Sequence, residues 1–158
     1  MRYFTQEWIF GNLSEQASKA ISEGYLRHLN ELLADMKYPS RSLMAGIDFH
    51  DAVIFGCVRE DNEVVVKAIN GENRLGYFIT EVRYWGVQDN SVLPTLKDQE
   101  VVEVLYDEYD FVDEAKSVVR YNFIISDKRE YSILFGNLEF SIARSTGERY
   151  LSLRRMRA

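Results

Sequence analysis

The chain has 158 residues, a formal net charge of −6 at neutral pH, and hydrophobic residues at 46% of its positions. This length and apolar content predict one domain over residues 1–158 with a core of its own, and they exclude a disordered chain. The acidic balance argues against nucleic-acid binding, which needs a basic face, and it is compatible with a basic protein partner.

Cellular location is constrained by what the sequence lacks. No apolar run approaches the roughly 18 residues that span a bilayer. The first residues lack the basic-then-apolar layout of a secretory signal, because Glu7 interrupts it. The one cysteine, Cys57, excludes an internal disulfide and a cysteine-built zinc site. We therefore expect a cytoplasmic protein that binds no membrane.

The first ten residues form an aromatic segment. It contains Tyr3, Phe4, Trp8, Ile9 and Phe10. These are too many large apolar groups for a free tail, so we expect the segment to dock on the body of the protein as a strand or a short helical turn.

Residues 12–36 predict a long helix, which completes an N-terminal unit over residues 1–44. Asn12 is the expected N-cap, and Glu15 three residues later completes a capping-box pattern. The apolar residues that follow are spaced by three and four, which places them on one face of a helix. Pro39 lies beyond the expected end. The apolar face predicts that this helix covers one side of a sheet.

The remainder of the chain, residues 45–158, predicts antiparallel strands. Residues 47–58 and 64–69 are joined by a polar turn and favour a hairpin, and residues 75–85 alternate as a third strand. Residues 86–99 form the longest expected loop, which is a natural place for a binding surface.

A β-meander is expected to close the chain. The runs rich in β-branched and aromatic residues are 101–106, 118–125, 131–135, 138–143 and 150–153. The expected fold is α+β: one long N-terminal helix packed on a curled antiparallel sheet, or partial barrel, of about seven to eight strands.

Short motifs resemble a bacterial family of uncharacterised domains. They are Met-Arg-Tyr-Phe-Thr-Gln-Glu-Trp at residues 1–8, Phe49-His50-Asp51-Ala52, Leu105-Tyr106-Asp107-Glu108 with the aliphatic strand that follows, and Asn137-Leu138-Glu139. Members of that family have no established catalytic residues, so the resemblance implies none here. By architecture the chain also looks like immunity proteins, which neutralise bacterial toxins by binding them.

Asp48 and His50 form the one cluster with the composition of a metal site. On a strand, residues two apart point to the same face, so both could hold an ion, but a third ligand is missing and the other histidine, His28, lies on the helix. The alternative is that His50 and Asp51 bond to backbone groups at the start of the strand. We assign no metal ligand, no cofactor and no catalytic residue, and we interpret Cys57 as a structural thiol.

Acidic residues concentrate in the first strand of the meander. Glu103 and Asp107 are expected on one strand face, and Glu108 and Asp110 on the other. Such charges are typical of a solvated edge strand, and they also suit recognition of a basic partner. A hydrolase with paired carboxylates is a third interpretation.

The function we infer from the sequence is a non-enzymatic protein-binding domain, in particular an immunity-type inhibitor. Its predicted binding residues are Glu103, Asp107, Glu108 and Asp110, together with the 86–99 loop. A metal-dependent hydrolase around Asp48 and His50 remains an alternative. Another is a structural subunit of a larger assembly, held through the aromatic segment.

Overall fold

The computed structural model describes residues 1–72, 76–96 and 100–156. The helices are α1 Gln6–Ile9, α2 Glu15–Asp35, α3 Ser40–Gly46 and α4 Gly147–Arg155. The strands are β1 Val53–Glu60, β2 Glu63–Glu72, β3 Gly76–Trp85, β4 Val102–Phe111, β5 Val119–Ile125, β6 Glu130–Phe135 and β7 Asn137–Arg144. The α+β class is confirmed, and the strand number within these ranges, seven, agrees with the prediction. None of the described helices has both the length and the apolar character needed to cross a membrane.

The long helix begins three residues later than its predicted start. Ser14, not Asn12, is the N-cap of α2, and its side chain accepts a hydrogen bond from the Ala17 amide at 3.2 Å. The Asn12 amide instead donates to the Glu7 carbonyl at 3.2 Å, so Asn12 belongs to the turn that ends α1. The aromatic segment therefore forms the short helical turn allowed by its sequence, and this turn shifts the start of α2.

All seven strands lie in one antiparallel sheet, in the order β6-β5-β4-β1-β2-β3-β7. The predicted β6–β7 hairpin is wrong, because β7 pairs with β3 from Phe78↔Arg144 to Trp85↔Asn137. Gly136 alone separates β6 from β7, although these strands lie at opposite edges of the sheet. The sheet must therefore bend until its two edges meet at this end, and no β6–β7 pairing closes it within the described residues.

The loop after β3 covers the outer edge of β6. Gln88 donates its amide to the Leu134 carbonyl at 2.9 Å, and Val92 and Ser132 exchange two backbone hydrogen bonds of 2.8 Å each. These bonds occupy backbone groups that an edge strand otherwise exposes. The last three residues of the predicted 86–99 loop lie outside the described residues.

The larger core lies on what we call the inner face of the sheet. Leu32 and Met36 at the end of α2, and Leu43 and Met44 of α3, are buried against it. The end of α2 and helix α3 together thus cover this face, where the sequence predicted one long helix. Within α2 itself Leu32 is the one buried residue, so this helix alone does not cover the face and α3 supplies part of the cover.

The opposite, outer face carries a second core under α4. Residues 150–153 were predicted as a strand, which is wrong: Thr146 caps a helix by accepting the Arg149 amide at 3.2 Å. Tyr150 and Leu153 are three residues apart, so both face the sheet and pack with Val53 and its neighbours.

Candidate functional site

A bulge in β4 decides which of its acidic side chains reach which face. The strand lies between β5 and β1, but its pairing with β1 is limited to Val102 and Glu103. The predicted solvated edge is wrong for Glu103 and Glu108, because both are buried. The register of β4 with β5 shifts between Val104 and Tyr106. The extra residue reverses the alternation, so Glu103 and Asp107 point to opposite faces and not to one shared face.

Glu103 lies on the outer face and is 1% exposed. Its carboxylate pairs with the Arg154 guanidinium of α4 at 2.5 Å. A partner protein therefore has no access to this predicted binding residue in the folded chain.

Glu108 also lies on the outer face, and it anchors the aromatic segment. The side chain is 3% exposed, and its two oxygens accept the backbone amides of Arg2 at 2.5 Å and Tyr3 at 2.9 Å. Phe4 stacks on the Tyr106 ring next to it, with 5.3 Å between ring centroids. The predicted docking of this segment on the body is thus confirmed, and Glu108 is occupied by the chain itself.

Asp110 is partly exposed at the far end of the strand. Its carboxylate lies 3.5 Å from the His28 ring of α2 and accepts the Phe111 amide at 2.9 Å. Three of the four predicted binding carboxylates, those of Glu103, Glu108 and Asp110, are thus engaged within the chain.

Asp107 is the acidic residue of β4 that enters the inner face. Burial and, after it, the negative charge of Asp48 raise the pKa of its carboxyl from 3.8 to about 7, and the hydroxyl of Tyr121 opposes the shift. The side chain is nevertheless partly exposed, because it borders an open pocket.

This pocket has a volume of about 330 Å³, within the usual range of small-ligand sites. It lies where α2, the segment after α3 and strand β4 meet. Its lining residues are Tyr25, Leu29, Met44, Ala45, Gly46, Ile47, Asp48, Phe49, Asp107 and Tyr109. The pocket therefore combines two carboxylates with aromatic and aliphatic walls.

The described part of the chain places no cationic side chain against the two carboxyl groups of the pocket. No lysine, arginine or histidine in the described ranges forms an ion pair with Asp48 or Asp107. Asp48 accepts one hydrogen bond, from the His50 amide at 2.9 Å. Asp107 has the Tyr121 hydroxyl near it, without a well-formed hydrogen bond.

Tyrosines surround Asp107 on its buried side. Tyr109 is 4% and Tyr121 is 3% exposed, and among the described residues neither hydroxyl forms a hydrogen bond of good geometry, although the Tyr121 hydroxyl interacts with both Asp107 and Tyr109. Their rings stack 4.6 Å apart. Burial raises the pKa of both phenols, so they stay neutral. Buried hydroxyls without a well-formed hydrogen bond are uncommon, and they need an explanation in a native structure.

The predicted metal pair is not arranged on a strand. Strand β1 begins at Val53, and the Asp48 side chain binds the His50 amide in a local turn, where Asp51 has a φ of 60°. No cluster of three or more metal-ligating side chains occurs among residues 1–72, 76–96 and 100–156. The side chain that bonds to the backbone here is that of Asp48, whereas the His50 ring lies 3.3 Å from the Asp51 carboxylate, so backbone bonding by His50 and Asp51 stays a prediction.

Cys57 gives no sign of reactivity. Burial raises the pKa of its thiol to about 11, so the thiolate that reacts with electrophiles or metals is scarce at neutral pH.

Sequence reasoning found Asp48 and Asp107 separately but did not bring them together. The sequence analysis interpreted the tyrosines around Asp107 only as alternating residues of strands. The one local feature that could have pointed to this site is the position of Asp107, an acidic residue between Tyr106 and Glu108 in a run that is otherwise typical of a half-buried strand.

No family model, no curated protein and no solved structure matches the chain. The resemblance carried by the short motifs therefore remains a prediction.

Proposed function

We propose that the chain is a non-enzymatic binding domain whose pocket accepts a cationic side chain of a basic protein partner. The observation that carries this proposal is the pair Asp48 and Asp107, which share a pocket and meet no cation of the described chain. The proposal keeps the acidic recognition inferred from the sequence and moves it from the outer surface to the inner face.

Electrostatics favours a cation at this position. Repulsion by Asp48 raises the pKa of Asp107, and an external positive charge beside the two carboxylates relieves that repulsion. Hydrogen bonds to ionised acceptors are about twice as strong as those between neutral groups. The net charge of −6 further attracts a basic partner at a distance.

An immunity-type inhibitor is the particular form of this function that we propose. It rests on the architectural likeness and on the acidic recognition site, because such proteins act by binding. A toxin gene beside the gene for this chain would support that form, and co-purification of the two products would test it.

The experiment that tests the binding function uses short basic peptides as probes. We expect lysine- or arginine-containing pentapeptides to bind the protein in calorimetry, while glutamine-containing peptides of equal length do not. Asp48→Asn and Asp107→Asn each remove one acceptor charge and should weaken binding about tenfold or more. Glu31→Gln, an exposed carboxylate of α2, is the matched control and should bind as the wild type does.

The same experiment can also contradict the proposed function. Basic peptides that do not bind, or that bind the two pocket variants and the control alike, would contradict the proposed function.

A second candidate is an acid–base enzyme, favoured by the pKa of Asp107. A carboxyl with a pKa of about 7 is suited to donate and accept protons near neutral pH, and a second carboxyl, that of Asp48, lines the same pocket. Turnover of an ester, glycoside or phosphodiester that Asp107→Asn abolishes would establish this function in place of binding. The metal-dependent form around Asp48 and His50 would show a stoichiometric ion that is lost in His50→Ala.

The structural-subunit alternative stays a prediction. The aromatic segment that suggested it packs on the chain's own sheet through Glu108 and Tyr106.

A further inference from the structure

We propose that the outer edge of β7 is an interaction surface, and that its partner is the same edge of a second copy of this chain. This surface is separate from the candidate pocket and uses none of its residues. The proposal is carried by the position of β7 in the sheet, by the direction of its backbone groups, and by the charges along the strand.

Strand β7 ends the sheet, and its outer edge is open. In the part of the chain that the structure describes it pairs with β3 alone, and the register runs from Phe78↔Arg144 to Trp85↔Asn137 without a bulge. The opposite edge, that of β6, is covered by the loop after β3. Edge strands are commonly blocked by prolines, lysines or bulges, and β7 contains none of these. It is therefore the edge of this sheet that is able to accept a further strand.

Backbone geometry shows which residues of β7 direct their amides outward. The Ser145 amide donates to the carbonyl of Tyr77 in β3 at 2.8 Å. Odd-numbered residues of β7 therefore direct their backbone groups to β3, and the alternation leaves those of Phe140, Ile142 and Arg144 directed away from it. The apolar side chain of Ile142 is 52% exposed, so this part of the edge is open to solvent.

The strand is complementary to its own copy. A two-fold axis normal to the sheet pairs two copies of β7 in antiparallel directions and sets each residue opposite one of the same face. With this axis at Ser141, residues 138–144 of the two copies pair. Phe140 of each copy then lies beside Ile142 of the other, and their outward amides and carbonyls bond to each other. Aromatic side chains opposite β-branched ones are among the pairs that stabilise sheets.

Charge complementarity selects the axis at Ser141 over the neighbouring one at Phe140. With the axis at Ser141, Glu139 of one copy and Arg144 of the other are one position apart, whereas the two copies of Glu139 are about 13 Å apart along the strands. Unlike charges thus lie closer together than like charges. An axis at Phe140 would bring the two Glu139 side chains to about 7 Å along the strands on the same face, which is unfavourable. An axis at Ile142 would pair only residues 140–144 of the strand.

Sedimentation equilibrium of the purified chain tests the interaction. We expect the mean mass of the wild type to rise from 18.5 kDa toward that of a dimer as its concentration increases to about 1 mM, the range of a weak interface. Ile142→Lys places two like charges beside the axis and should weaken association about tenfold or more. Val58→Lys, at a side chain of β1 that is 54% exposed, is the matched control and should associate as the wild type does.

A cysteine at the axis tests the register. Ser141 would lie opposite its own copy in a pair without hydrogen bonds, where the Cα atoms are about 4.5 Å apart, a distance that a disulfide spans. Ser141→Cys should therefore form a covalent dimer under mild oxidation. Ala143→Cys, which is also exposed, should not, because its two copies are about 13 Å apart along the strands. The wild type is the control for disulfides through Cys57.

Urea denaturation checks the fold of each variant, and the cysteine variants keep the test independent of Ile142→Lys. A wild type that stays at 18.5 kDa would overturn the pairing between copies, and a strand of another protein would then be the occupant that is left for this edge. Association that Ile142→Lys leaves unchanged, or equal cross-linking of the two cysteine variants, would also overturn it. The test of the proposed function by basic peptides is read separately from all of these results.

Discussion

At the scale of single residues, the position of Asp107 depends on one inserted residue in β4. Without the register shift between Val104 and Tyr106, Asp107 would share the outer face with Glu103. With it, the carboxylate enters the inner face beside Asp48, and burial there raises its pKa to about 7. The folded protein holds this proton more tightly than the unfolded chain does. The charge of the pocket is therefore linked both to the stability of the protein and to the binding of a cation.

The first prediction is that Asp107→Asn stabilises the protein in mildly basic solution. In the unfolded chain an aspartate titrates near 3.8, but in the folded protein this one titrates at about 7. The folded state therefore holds the proton more tightly, and the stability from this group is complete below the lower pKa and lost as pH rises through about 7. We expect wild type and variant to be alike near about pH 3, below the lower pKa, and the advantage of the variant to grow with pH to on the order of 2 kcal/mol near about pH 8, a figure discounted for solvent screening of the partly exposed carboxyl.

Urea denaturation at both pH values measures this difference. Glu31→Gln should show no such pH-dependent gain. A variant that is less stable than the wild type near about pH 8 would contradict the raised pKa.

Release of the same proton should be detectable when a cation binds. If a cation lowers the pKa of Asp107 when it enters the pocket, binding near neutral pH releases a proton. Calorimetry of an arginine peptide in two buffers with different ionisation enthalpies should detect this release, and Asp107→Asn should abolish it. Binding heats that do not depend on the buffer would contradict the linkage.

At the scale of elements, the aromatic segment is held by one buried carboxylate. Glu108 accepts two backbone amides, from Arg2 and Tyr3, and the rings of Tyr3 and Phe4 pack on Tyr25 of α2 at 5.4 Å and 4.9 Å. Tyr25 also lines the pocket. The segment therefore supports one wall of the candidate site from behind.

The second prediction concerns this anchor. Glu108→Gln replaces one acceptor by an amide group that cannot accept, so one of the two backbone amides loses its bond. We expect the free energy of unfolding to fall by about 1–3 kcal/mol. Hydrogen exchange should increase over residues 1–10, and binding of cationic peptides should weaken because Tyr25 is less firmly placed.

Glu114→Gln, an exposed carboxylate in the turn after β4, is the control for this variant. Unchanged exchange of residues 1–10 in Glu108→Gln would show that the aromatic contacts alone hold the segment.

At the scale of the whole molecule, α4 joins the two halves of the sheet where their pairing is narrowest. Strands β1 and β4 are in register only at Val53↔Glu103 and Ile54↔Val102. Tyr150 of α4 donates its hydroxyl hydrogen to the Asp51 carbonyl at 3.0 Å, and Arg154 reaches Glu103. One helix thus contacts the chain on both sides of this junction.

The third prediction tests that link. Arg154→Gln leaves the buried Glu103 without this counter-charge, and we expect a loss of about 2 kcal/mol, less than for a fully buried pair because Arg154 is partly exposed. The double variant Glu103→Gln with Arg154→Gln should recover part of the loss, because two neutral amides need no counter-charge. Denaturation of the single and double variants measures the coupling, with Arg155→Gln as the exposed control on the same helix.

An additive double variant would contradict the coupling. An Arg154→Gln variant that is as stable as the wild type would also contradict it.

The sequence by itself determined the local elements: α2 follows from spacings of three and four, and all seven described strands from runs of alternating residues, because these periods are set within a few neighbouring residues. It also determined that the aromatic segment docks, since so much apolar surface cannot remain in water. Only the tertiary structure decided that β7 pairs with β3, that residues 150–153 form a helix, and that a bulge turns Asp107 inward to meet Asp48. Strand partners, bulges and pockets depend on contacts between residues far apart in the chain, and the free energy of those contacts is not encoded in any single stretch.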